Sequence, residues 1–156
     1  MKEYMPLIEQ KLTEGGSVLF TAPGTSMLPL LHNSDVELTA VTGALKKLDI
    51  ALYHRRSGQF VLHRVIRVNA DGSYAMCGDN QTAVESPIQH NQIIAKLLCY
   101  AHNGNMIPVH DPTYLRYARR RARSRPFRAA YTLLRRGLYK TYRLIREIFH
   151  KKQTKN

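Results

Sequence analysis

The chain has 156 residues, 44% of them hydrophobic, a size that suits one domain with a small appendage and a single core. No run of 18 or more apolar residues occurs, which excludes a transmembrane helix. The N-terminal "MKEYMPLIEQKLTEGG" carries acidic residues where a signal peptide has an unbroken apolar segment, so a cytoplasmic protein is expected.

The formal net charge of +13 is concentrated at one end. Residues 1–110 hold nine Lys/Arg and nine Asp/Glu, whereas residues 111–156 hold fifteen Lys/Arg against Asp111 and Glu147. This break, at the two prolines of "PVHDPT", predicts a body over 1–110 and a basic tail over 111–156. Cys77 and Cys99 have neither CxxC nor metal-ligand spacing and are expected as free, buried thiols. No cofactor or metal is implied.

In chain order, "YMPLIEQKLTEGG" spaces its apolar residues as a short amphipathic helix and stops at Gly15-Gly16. From there to about residue 110 the texture is β. The runs "SVLFTA", "DVELTAV", "DIALYH", "QFVLHRVIRV", "SYAMCG" and "QIIAKLLCYA" are separated by the turn clusters "PGTS", "HNSD", "RRSG", "NADG" and "DNQT". Five or six such strands predict a mainly β fold, a small antiparallel barrel or sandwich with a short N-terminal helix and a basic α-helical C-terminal tail. Within the tail, Phe127, Tyr131, Leu134, Leu138, Tyr142, Ile145 and Phe149 recur every three or four residues, a helical apolar stripe. Arg128, Arg135, Arg136, Lys140, Arg143 and Arg146 lie mostly off it. "YLRYARRRARSRPF" predicts a separate helix broken ahead of Pro126.

Two places carry chemistry. In "GTSMLPLL", Ser26 is either a turn residue or a nucleophile, with Thr25, Met27 and Pro29 as a substrate-facing flank. In "QFVLHRVIRVNADGSYAMCGDN", Asp71-Gly72 signals a hairpin. A four-residue loop over 69–72 sets His63 opposite Gly78, and a two-residue loop sets it opposite Asn80. Asp79 lies between these registers, within side-chain reach of His63. A carboxylate on one ring nitrogen fixes the imidazole tautomer and leaves the other nitrogen to take a proton. Ser26 is the hydroxyl such a base would activate. His32, His54, His90, His102, His110 and His150 have no comparable context.

The ordered motifs "GTSMLP", "DIALYH", "VLHRVI", "CGDN" and "IIAKLL" resemble the signal peptidase I superfamily, whose β fold is shared with the self-cleaving LexA-type repressors. The resemblance covers about residues 17–100 and is to the histidine type, with His63-Arg64 where other members have lysine. Lys46, Lys47 and Lys96 do not occupy that lysine position. The resemblance implies a serine endopeptidase with Ser26 as nucleophile, His63 as general base and Asp79 as acidic partner, acting on a peptide or leader. Ser34-Asp35 and Leu48-Asp49 stand where the family usually has Gly-Asp, and none of the chain's residues is expected to form the family's N-terminal membrane anchor.

The tail has three readings: an anionic membrane surface, placing the protein peripherally on the inner face; nucleic acid phosphates; or docking of its stripe on the β body or a partner. The rival to the peptidase is an inactive LexA-like β module whose basic tail binds nucleic acid or a partner protein.

Overall fold

The structure is a computed structural model and describes residues 5–153. Its contacts divide into two compact units, 1–123 and 124–156. The first is mainly β: α1 (Met5–Thr13), β1 (Ser17–Ala22), β2 (Ser34–Thr39), β3 (Ile50–His54), β4 (Phe60–Val68), β5 (Tyr74–Cys77), β6 (Glu85–Ile88), β7 (Ile93–His102) and β8 (Asn105–Pro108). A helix, α2 (Pro112–Gln153), begins in this unit and supplies the second. All strand pairs are antiparallel, in one sheet ordered β1-β2-β7-β3-β4-β5-β6, with β8 added to β7.

Central β3 explains the layering. Successive strand residues point to opposite faces, and Ile50, Ala51, Leu52 and Tyr53 are all buried. Ile50 and Leu52 join a core formed with α1, β1, β2, β7 and the start of α2. Ala51 and Tyr53 join a second core with Val61 and Val65 of β4, Tyr74 and Met76 of β5, and Ile88 of β6. The sheet is thus covered on both faces.

The six expected strand runs are β1 to β5 and β7, and α1 ends before Gly15, whose φ of 79° suits a glycine stop. Both cysteines are buried, and neither forms a disulfide among the described residues. One expectation is corrected. The helix is not broken ahead of Pro126, because α2 runs through it; a proline removes one helical N–H bond but need not end a helix held on either side. By contacts the two units divide after Arg123. The charge break marks where arginines begin, whereas Tyr114 and Ala118 are buried in the core of the first unit.

Candidate functional site

The site lies where the loop after β1 meets the loop after β5. In the first loop, the Met27 carbonyl accepts from the backbone N–H groups of Leu30 and Leu31, at 3.0 and 3.1 Å, closing a tight turn. That turn packs Met27 into the core at 4% exposure, with Leu30 and Leu31 beside it. Of the three residues expected to face substrate, Thr25 and Pro29 are exposed; Met27 is a core residue. The second loop is sewn to the first: Asn80 N–H donates to the Ser26 carbonyl at 2.8 Å, and its side-chain amide donates to the Thr25 carbonyl at 3.2 Å.

The β4–β5 hairpin sets the register. Val68 pairs with Tyr74, a bulge between Val65 and Arg67 takes up one residue, and Arg64 pairs with Cys77. One step further sets His63 opposite Gly78, the first of the two counts above. A Cβ added to Gly78 would lie 2.6 Å from the Ser26 carbonyl oxygen and 3.0 Å from His63 Nε2. The Ser26 backbone carbonyl and the imidazole therefore border one point, and only glycine leaves room for both. His63 is 1% exposed, and its Nε2 has no hydrogen-bond partner among the described residues. Buried polar atoms are nearly always satisfied, so an orphaned ring nitrogen beside a half-buried serine stands out.

The other ring nitrogen is surrounded. His63 Nδ1 is 3.2 Å from the Tyr53 hydroxyl and 3.4 Å from Glu85 Oε1. Ala51, which pairs with His63, and Tyr53, two residues along β3, share its face of the sheet. Glu85 opens β6 opposite Met76. The Arg55 guanidinium grips Glu85 with both ends, Nε lying 2.7 Å from Oε2, and holds its carboxyl below the usual range. Burial lowers the His63 pKa to about 4, with Arg55 adding to the effect and Glu85 and Asp79 opposing it. The ring is thus neutral at physiological pH. Burial, then Glu85, raise the Tyr53 phenol, which stays protonated.

The expected pairing of His63 with Asp79 is corrected. Asp79 lies past the end of β5, in the turn that follows Gly78, and its carboxylate faces Arg64 rather than the imidazole. There its two oxygens accept from Arg64 Nε at 2.8 Å and Nη2 at 2.7 Å, and one also accepts from the Tyr117 hydroxyl at 3.1 Å. Arg64 and Asp79 are 1% and 3% exposed. Arg64 Nη1 adds bonds to the Leu48 carbonyl and the Tyr114 hydroxyl, and the guanidinium lies over both tyrosine rings. Burial works against its charge, but Asp79 keeps it protonated. From α2, Arg121 Nε donates to the Asp79 carbonyl at 2.7 Å, and Nη2 reaches the Leu28 carbonyl at 3.5 Å. The first turns of α2 thereby tie both site loops together. Tyr53, Glu85, Tyr117 and Arg121 were not among the expected site residues. Tyr53 lies in an apolar strand run, Glu85 in a stretch that reads as loop, and Tyr117 and Arg121 in a run of arginines, so none carried a distinguishing signal.

In the tail, Arg135, Lys140, Arg143 and Arg146 are exposed and Arg128 is half-buried, while the side chain of Arg136 lies outside the described ones. No helix among the described residues is long and apolar enough to cross a membrane. No family model matches the chain, and no curated protein or solved structure matches it with significance.

Proposed function

We propose that the protein is a serine endopeptidase of the signal-peptidase-like type, acting on a peptide or leader through Ser26 and His63. The observation that carries the reading is the buried, orphaned Nε2 of neutral His63 at the Gly78 gap beside Ser26. A neutral imidazole with a free lone pair is what a general base requires. In this mechanism Ser26 Oγ attacks the peptide carbonyl while Nε2 takes its proton, with the Ser26 backbone N–H as oxyanion donor. The proton then passes to the departing amine, leaving an acyl ester on Ser26. Water attacks the ester while His63 takes its proton, and His63 then returns that proton to Ser26 Oγ as the acid leaves.

Asp79 acts at one remove, holding the loop that carries Gly78. The family likeness gains support from Leu48, which stands where relatives have glycine and keeps a φ of 84°. A residue with a side chain adopts that conformation only under strain, so the turn has kept its glycine-like shape. A second reading, an idle β module, draws on the missing bond between Ser26 Oγ and Nε2, although such bonds often tighten only with substrate bound. Peptide aldehydes separate the two. An active serine forms a hemiacetal with them, so a panel should yield at least one that binds wild type and not Ser26→Ala. Binding that ignores Ser26→Ala points to the idle module.

A further inference from the structure

We infer that Glu85 and Tyr53 are the positioning residues of His63, holding it as the Nδ1–H tautomer so that Nε2 is the proton acceptor. The proton directions follow from the donors available. An ionised carboxylate only accepts, and Arg55 keeps Glu85 ionised. The Tyr53 phenol is held protonated by burial and by that carboxylate, and the ionised carboxylate is the stronger acceptor for its hydrogen. Its oxygen, 3.2 Å from Nδ1, is then free to accept. Nδ1 thus faces two acceptors, Tyr53 Oη and Glu85 Oε1, and carries the hydrogen; Nε2 is left with its lone pair. The role usually filled by a carboxylate bonded directly to the ring passes here to Glu85, directly and through a phenol, because Asp79 is held by Arg64.

The charged and titratable groups around the ring are Tyr53 from β3, Arg55 just beyond it, Asp79 after β5, and Glu85 from β6. Removing the Glu85 charge leaves Arg55 without its counter-charge, so the ring becomes harder to protonate.

The consequence for catalysis rests on the peptidase reading, but the tautomer does not, and nitrogen NMR of the full-length protein reads it directly. The expected wild-type spectrum shows His63 neutral at pH 7 with hydrogen on Nδ1. In Glu85→Gln and Tyr53→Phe, the hydrogen should shift at least partly to Nε2. In Glu85→Gln the midpoint of ring protonation should also move to lower pH, whereas Arg55→Gln, which breaks the same ion pair but leaves the carboxylate, should move it higher. Hydrogen on Nε2 in the wild type, or a tautomer unchanged in both variants, overturns the inference. A correct tautomer in a protein that no peptide aldehyde modifies at Ser26 overturns only the peptidase reading.

A second observation stands independently. Phe127, Tyr131, Leu134, Leu138 and Tyr142 form one helical stripe, and each is between 62% and 78% exposed. Arg125, Arg128, Arg135, Lys140 and Arg143 share the same helix. Nucleic acid recruits cations but has no use for a large apolar stripe, whereas an anionic lipid surface takes both. We propose that residues 124–146 lie on such a surface. Full-length protein should sediment with phosphatidylglycerol-containing vesicles and not with phosphatidylcholine alone, and the full-length Leu134→Ser/Leu138→Ser variant should lose most of that binding. Equal sedimentation of the variant overturns the proposal, as does tight binding to a nucleic acid duplex that the variant retains.

Discussion

Gly78 is the narrowest point of the site. Its backbone needs no left-handed conformation; what forbids a side chain is the space, since the nearest obstacle is the Ser26 carbonyl, a backbone atom already bonded to Asn80. Gly78→Ala should therefore push the two loops apart and slow Ser26 chemistry by at least tenfold, read as the rate of modification by an active-site probe. His63 sets the pH behaviour. Its folded pKa of about 4 lies below the ordinary value near 6.5. Between these values the unfolded chain takes up a proton that the folded ring refuses, so stability falls as pH drops through that window. At roughly 1.4 kcal/mol per unit, the contribution is at most about 3–4 kcal/mol. Urea unfolding at pH 7 and pH 4.5 should show a larger loss for wild type than for His63→Gln. As a base, the ring should stay active down to about pH 4–5, well below the usual imidazole limit.

At the scale of elements, the decisive fact is the alternation of β4. His63 and Arg64 point to opposite faces, one toward Tyr53 and Glu85, the other toward Asp79 and α2. Breaking a buried ion pair by removing one partner costs about 3–5 kcal/mol, so Asp79→Ala should lose stability on that order in denaturant unfolding. Tyr117→Phe, which removes one hydrogen bond to the same carboxylate, should lose about 1 kcal/mol. The hairpin register at His63 was legible because Asp71-Gly72 confines the turn to a few choices. The partner of His63 was not, because counting along two strands shows proximity but not which face a residue after the strand end takes. Glu85 was hidden for another reason: β6 is four residues with a proline inside, "ESPI", and reads as loop. β8, "NMIP", is as short.

At the scale of the whole molecule, charge and packing divide the chain at different places. The body was legible as β from its apolar runs and turns, and the tail as helical from its stripe. That Tyr114, Tyr117 and Arg121 belong to the body was not, because those residues sit in the same basic helical text as the rest of α2. Truncation should expose the difference: stopping after Arg123 should leave the β unit cooperatively folded, while stopping after Asp111 should strip Tyr114 from the core and leave Arg64 short of partners, lowering the melting temperature by several degrees.

The claim that joins these scales is that Ser26 is a nucleophile served by His63. Its most direct measurement is the rate of adduct formation with a fluorophosphonate probe, located by mass spectrometry, in wild type, Ser26→Ala and His63→Ala. The adduct should fall on Ser26, be absent from Ser26→Ala, and form 10²–10⁴-fold more slowly in His63→Ala, the usual worth of a general base. An adduct that persists at the wild-type rate in Ser26→Ala, or none in the folded wild-type protein, would contradict it.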